Sequence, residues 1–221
     1  MSAATVRAVL FDLDGTLIDS APDLAAAANR MRLRRGLDVL PLESFRPMVG
    51  AGARGMLAIA FGITPEEAEF AAMREEFFDE YESDLSGRTV VFPGIAEVLG
   101  ALEAAGLRWG VVTNKAERFA LPVVERTGLA HPGALVCGDT TPHAKPHPAP
   151  LLEAARRLEV APEACIYVGD DLRDVQAGRA AGMRTVAVRW GYLGQGEPIE
   201  RWGADILVGD PVGLLKWLDL A

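Results

Sequence analysis

Lysine is the scarcest charge in this chain: among 22 Lys+Arg residues only three are lysines, Lys115, Lys145 and Lys216. Against 31 Asp+Glu they leave a formal net charge of -9, and no Lys/Arg run forms the cationic stripe that nucleic acid or an anionic membrane would need. Neither is expected as a partner. Cysteine is almost missing as well. Cys137 and Cys165 are too few and too far apart for a disulfide framework or a zinc knuckle, and read as two reduced thiols. No apolar stretch is longer than a strand, and charge interrupts the opening MSAATVRAVLFDLDG before a signal-peptide core can form, so the expected location is cytoplasmic. Low-complexity segments and fixed-period repeats are absent too. Composition carries no reading of oligomeric state.

What is present is a good core. With 221 residues, half of them hydrophobic, the chain can bury about 70 to 75% of its unfolded surface. A short apolar, β-branched run ending in polar residues and followed by a helical pattern recurs: VRAVLF before DLDGT, LRWGVV before TNKAERF, ACIYV before GDDLRD and RTVAV before RWGYLG. Strands buried on both faces read this way, and their alternation with helices predicts a parallel sheet with ligands bound beyond its carboxyl ends. Residues 19–88 lack such runs. Ser20-Ala21-Pro22-Asp23 and Thr64-Pro65-Glu66-Glu67 resemble capping boxes ahead of long Ala/Glu/Arg helical patterns. The expected fold is α/β: a Rossmann-like parallel-sheet core over 1–18 and 89–221, with a small helical cap inserted over 19–88. Phe92-Pro93-Gly94 marks the return to the core, with a helix over 95–105 closed by Gly106.

The chemistry-bearing residues cluster at the predicted strand ends. Asp12, Asp14 and Asp19 follow the first strand closely, where like charges repel. Clustered carboxylates stay ionised only beside a compensating cation. Asp12, Asp14, Asp170 and Asp174 at neighbouring strand ends would make an all-oxygen site suited to Mg²⁺, a hard cation that pairs with phosphate. Asp19 falls where the chain leaves for the insert and reads as a hinge or helix-start residue. Trp109 and Cys165 read as core, and His143 and His147, flanking Lys145, are not expected as metal ligands.

Asp12-Leu13-Asp14-Gly15-Thr16, Thr113-Asn114, Lys145-Pro146 and Gly169-Asp170-Asp171-Leu172-Arg173-Asp174, in that order, resemble the four motifs of the haloacid dehalogenase superfamily. The resemblance implies that Asp12 attacks phosphorus to form an aspartyl-phosphate, while Asp14 protonates the leaving oxygen and later activates water. It places the side chains of Asp12 and Asp170 and the backbone carbonyl of Asp14 on the metal. Asp174, one helical turn beyond Asp170, then holds a metal-bound water or Lys145. Thr113 through its hydroxyl, Asn114 through its backbone N–H and Lys145 as the cation fit the charge that develops on the phosphoryl oxygens. Asp171 stands where many relatives carry serine, and binds metal through water or caps the following helix. Asp14 favours phosphoryl transfer over dehalogenation, and the absence of lysine from 19–88 excludes the branch that uses a cap lysine in a Schiff base.

The insert is where substrate choice is expected. Its glycine-rich turn Val49-Gly50-Ala51-Gly52-Ala53-Arg54-Gly55 can offer backbone N–H groups near Gly52 to an anion, with Arg54 clamping a carboxylate; the plainer reading is a flexible turn with a surface arginine. Lys115 reads equally as a substrate contact and as a helix-surface lysine. TNK, KPHP and VGAGARGML look like the phosphoglycolate phosphatase branch. GARGML and WGVVTNKAERFALP look like its N-acetylmuramic acid 6-phosphate phosphatases. The implied partner is a small carboxylate-bearing phosphate ester, 2-phosphoglycolate or N-acetylmuramic acid 6-phosphate, hydrolysed with Mg²⁺. A sugar phosphomutase shares these motifs and the cap. A non-catalytic phosphate-binding module is disfavoured because Asp12, Asp14, Thr113 and Lys145 are all kept.

Overall fold

The computed structural model describes residues 6–129 and 132–220. In chain order the first half holds β1 (Ala8–Phe11), β2 (Ile18–Asp19), α1 (Ala21–Arg34), α2 (Leu42–Phe45), α3 (Gly52–Phe61), α4 (Phe70–Ser83), β3 (Val90–Val91) and α5 (Ile95–Ala104). The second half holds β4 (Arg108–Val112), α6 (Glu117–Arg126), β5 (Leu135–Val136), α7 (Ala149–Arg157), β6 (Cys165–Gly169), α8 (Leu172–Ala180), β7 (Arg184–Val188), β8 (Ile206–Val208) and α9 (Pro211–Trp217). The four apolar runs become β1, β4, β6 and β7. Two shorter strands, β5 and β8, extend the sheet beyond them.

The sheet runs β5-β4-β1-β6-β7-β8 with every neighbouring pair parallel. All four residues of β1 are fully buried because both faces of the sheet are covered. Alternation divides them: Val9 and Phe11 join Ile95, Val98 and Leu102 of α5 in one cluster. Ala8 and Leu10 join Leu151, Ala154 and Leu158 in and after α7 in another. The strand order reverses beside β1, the place where open parallel sheets leave a crevice at their carboxyl ends. Among the described residues no helix is long and apolar enough to cross a membrane.

Between β2 and β3 the chain is helical, as the absence of strand runs predicts. Here α1 packs against α3 and α4, burying Leu24, Ala28, Met31, Met56, Leu57, Phe70 and Phe77. Both expected capping boxes are corrected. Ser20 does precede α1 but makes no side-chain cap; its hydroxyl is drawn to Asp14 at 2.5 Å. At Thr64 only half a box forms, with the Thr64 N–H donating to Glu67 at 2.8 Å, and α4 does not begin until Phe70. The predicted helix after Gly94 is α5, and Gly106 follows it at φ +70°.

The two chain crossings into and out of the helical insert are tied together. Ile18 pairs with Val91 and Asp19 with Val90 in a small antiparallel ladder. Asp23, 1% exposed, accepts hydrogen bonds from the N–H groups of Arg88 and Thr89 at 3.0 and 2.7 Å and from the Thr89 hydroxyl at 2.6 Å. Replacing Asp23 by Ala strands those buried donors. Urea denaturation is expected to show a loss of about 2–4 kcal/mol, and a loss below about 0.5 kcal/mol would mean that the crossing is held by its apolar contacts alone.

Candidate active site

Strand ends bring the motif residues together. Asp12 directly follows β1, and its backbone N–H donates to the Val168 carbonyl of β6 at 2.9 Å, which fixes the chain as it leaves the sheet. Thr113 follows β4, Asp170 follows β6, and Asp174 lies in the first turn of α8. One carboxylate oxygen each from Asp12, Asp170 and Asp174 lie within 4.8 Å of one another. Lys145, from the loop between β5 and α7, sets its ammonium 2.8 Å from both Asp12 and Asp174. It also donates to the Tyr167 hydroxyl at 2.8 Å and to the Val112 carbonyl at 3.0 Å.

Asp170 is gripped on every side. It accepts from the Thr16 hydroxyl at 2.9 Å and from the Tyr192 N–H at 2.8 Å. Backbone crowds it so closely that only glycine fits next to it. A Cβ on Gly15, which stands at φ +90°, would lie 2.2 Å from its carboxylate, and one on Gly191 would lie 2.2 Å from its Cβ.

Burial sets the electrostatics of this group. It pushes Asp12 up to about 7, with Lys145 pulling back and Asp174 pushing further. It raises Asp170 well above the carboxylate range, reinforced by the charges of Asp12 and Asp174. Two buried acids and a partly buried third, with one lysine among them, are thus short of positive charge. Carboxylate oxygens alone, packed tightly by backbone, form the donor set of a hard divalent cation, so the residues present fit Mg²⁺.

Asp14 stands apart from that trio in its side chain. Its carboxylate accepts from Ser20 Oγ at 2.5 Å and from Lys115 Nζ at 2.9 and 3.2 Å. Lys115, an ambiguous residue in the sequence, is only 8% exposed in its side chain, so the helix-surface reading is corrected. Burial is the largest influence and disfavours its charge, but Asp14 and Tyr81 together outweigh it and raise its pKa.

Thr113 is buried, and its hydroxyl accepts from the Lys115 N–H at 3.1 Å. Asn114 uses its side chain structurally: Nδ2 donates to the Lys145 carbonyl at 3.0 Å, and Oδ1 accepts from the Lys145 N–H at 2.9 Å. Of the two readings of Asp171, the helix cap is the one the geometry realises. Its side chain accepts from the Arg173 N–H as the N-cap of α8 and forms a capping box with Asp174. Arg173 also pairs with its carboxylate at 2.8 Å. The expected metal or water role for Asp171 is replaced by this pairing, which keeps its oxygens engaged. Asp19 pairs with Arg46 at 2.7 Å and accepts from the Tyr192 hydroxyl at 3.0 Å, outside the acidic trio. The same hydroxyl accepts from the N–H groups of Ser20 and Ala21 at 2.9 and 3.1 Å.

A cavity of about 290 Å³ opens over these residues. Its floor is Asp12, Asp14, Thr113, Lys145, Asp170 and Asp174; its roof comes from the insert, with Gly50 to Ala53, Phe77, Phe78 and Tyr81. Gly52 lines it as expected. Arg54 does not: it is exposed on α3 and lines a neighbouring depression with Gln195 and Trp202, which corrects its expected place as the carboxylate clamp. The wall is aromatic, since Phe119 of α6 lies 5.3 Å from Phe78 and 5.4 Å from Tyr81, ring centre to ring centre. Tyr81, Phe119, Thr16, Tyr192 and Arg173 carried no assignment in the sequence. Only the separation of Asp19 from its neighbours hinted at a separate partner.

The sequence pattern of the haloacid dehalogenase-like hydrolases matches residues 9–188. The N-acetylmuramic acid 6-phosphate phosphatase of Pseudomonas putida is 45% identical over 98% of this chain and 97% of its own. The phosphoglycolate phosphatase of Xanthomonas campestris pv. campestris is 49% identical over 93% of each. Among solved structures, a predicted phosphoglycolate phosphatase from Haemophilus somnus 129PT superposes with a TM-score of 0.83 at 29% identity, over 96% of this chain and 97% of that one. Four motifs at the ends of β1, β4 and β6 and ahead of α7, full-length relatives and a shared fold agree: the chain belongs to the haloacid dehalogenase-like hydrolases.

Proposed function

We propose that this protein hydrolyses a phosphate monoester bearing a carboxylate, through an aspartyl-phosphate on Asp12, with Mg²⁺ held by Asp12, Asp170 and the Asp14 backbone. The observation that carries the reading is Lys145 placed 2.8 Å from both Asp12 and Asp174 at the floor of a cavity that the helical insert roofs. The bound cation supplies positive charge against the phosphoryl oxygens and the clustered acids.

A carboxylate oxygen of Asp12 attacks phosphorus as the ester P–O bond breaks. Asp14, protonated from solvent as it parts from Lys115, gives that proton to the departing oxygen. Water then attacks phosphorus of the acyl phosphate as Asp14 takes its proton, the P–O bond to Asp12 breaks, and Asp12 is regenerated as inorganic phosphate leaves. Lys145 and the Thr113 hydroxyl balance the charge spread over the phosphoryl oxygens. The Asn114 side chain, bonded twice to the Lys145 backbone, keeps that lysine in register. Phe77, Phe78 and Phe119 make an apolar wall that limits how much water reaches the reacting groups.

The cavity, about 290 Å³, is near the lower end of the size range of ligand pockets, about 300 Å³, so its size does not by itself choose between the two esters. The relative matching 98% of this chain is named for one of the two, the sugar phosphate. N-acetylmuramic acid 6-phosphate is therefore the favoured substrate over 2-phosphoglycolate. Phosphate release with Mg²⁺ is expected to favour it in kcat/KM by more than about 100-fold, or roughly 2.7 kcal/mol of transition-state binding. The reverse preference would assign the smaller ester. Isomer formation with little free phosphate would replace hydrolysis by a mutase reaction.

A further inference from the structure

Three cations line the cavity, and two of them are spoken for. Lys145 is held by Asp12, Asp174, Tyr167 and the Val112 carbonyl. Arg173 bonds both oxygens of Asp171 at 2.8 Å and reaches the Gly50 carbonyl at 2.5 Å. Lys115 is different, because its anionic partner is Asp14, the residue that must move protons. Both Asp14 oxygens face Lys115, and one also takes the Ser20 hydroxyl. To face a leaving oxygen, Asp14 has to give up part of this pairing in every turnover. An ammonium 8% exposed leaves one carboxylate only for another anion, since an unpaired buried charge is costly.

The neighbour of Lys115 on the cap side is Tyr81. The ammonium lies 4.9 Å from the centre of its ring. Tyr81 is 2% exposed and lines the same cavity, and its buried hydroxyl, which the Lys115 ammonium approaches, donates to no acceptor among the described residues. Buried hydroxyls in folded proteins are nearly always paired, so this one asks for a partner from outside the chain.

We propose that Lys115 and Tyr81 form the subsite for the substrate's carboxylate, in which Lys115 exchanges Asp14 for the incoming carboxylate and the Tyr81 hydroxyl donates to it. This rests on the function proposed above and names the residues that select within it. Binding and chemistry are then linked. An ester with the carboxylate draws Lys115 away and frees Asp14; an ester without it leaves the pair closed. Selection therefore appears in kcat as well as in KM, because a remote substrate group completes the catalytic arrangement.

The test uses two pairs of esters, each differing at the carboxylate-bearing group: N-acetylmuramic acid 6-phosphate against N-acetylglucosamine 6-phosphate, and 2-phosphoglycolate against ethyl phosphate. Wild type is expected to favour the carboxylated member of at least one pair by about 100-fold in kcat/KM, partly through kcat. Lys115→Gln should cut that preference by about 30-fold or more, and Lys115→Arg should keep it within about 10-fold of wild type. Tyr81→Phe should lower the preference by about 3- to 10-fold while the melting temperature stays nearly level, since the lost hydroxyl donates to no acceptor among the described residues of the free protein. A merely structural tyrosine would lower both. If Lys115→Gln slows both members of each pair equally, Lys115 serves Asp14 alone and the subsite is overturned. If wild type shows no preference in either pair, the proposed function itself is wrong, and this inference with it.

Discussion

Asp12→Asn is expected to lower kcat by about 10⁴-fold or more, because an amide of the same shape occupies the same place and cannot attack phosphorus. The same change should make the cation-free protein more stable at neutral pH. Burial, partly offset by Lys145, raises Asp12 from its ordinary 3.8 to about 7 in the fold. For an acid shifted upward, the folded state binds the extra proton, so wild-type stability falls as pH rises through that window and stays low above it. Asparagine carries no such penalty. In the presence of a chelator its melting temperature at pH 8 should exceed that of wild type by roughly 5 °C, with the gap closing toward pH 4. Mg²⁺ should narrow the gap from the other side, since it stabilises wild type more. Unchanged phosphate release by the Asn variant would remove Asp12 from the role of nucleophile.

Lys145→Met is expected to strike both stability and turnover. The ammonium is the protein's own counter-charge to Asp12 and Asp174, and its side chain is 3% exposed. Removing one partner from a buried ionic group leaves the others uncompensated, at a cost of about 3–5 kcal/mol. Turnover should fall by about 10³-fold through lost stabilisation of the phosphoryl oxygens. The two effects separate on adding Mg²⁺. A more negative site binds the cation more tightly, so Mg²⁺ should raise the melting temperature of the variant more than that of wild type, while kcat stays low. Full recovery of kcat with stability would reduce Lys145 to a scaffold residue.

The parts of the molecule legible in the sequence are those where a local pattern has one physical solution. The runs VRAVLF and ACIYV contain apolar stretches bounded by polar residues, and Ala8 to Phe11 and Cys165 to Val168 within them become buried parallel strands. Leu135–Val136 and Ile206–Val208 are too short to show a period, and they are strands only because β4 and β7 offer edges to pair with. Asp12, Asp170 and Lys145 could be read because strand ends place them. Ser20 could not: as a cap it satisfies every local rule, but Asp14 offers its hydroxyl a charged acceptor. Arg54 has the residue type of an anion clamp beside glycines, whereas the face of α3 it occupies is set by the packing of Met56 and Leu57. Lys115 and Tyr81 meet across the cavity from distant segments, and no local pattern encodes that meeting.

The central position of β1 has a consequence for the order in which the molecule is made. Its neighbours are β4 and β6, so Asp12 and Asp14 are synthesised long before the strands that will flank them. The helices of the insert contact one another and come next along the chain, free to condense early. Asp170 and Asp174 arrive on β6 and α8, after Lys145 has been made. The acids that repel one another most are thus held apart in time until their lysine is already in the chain.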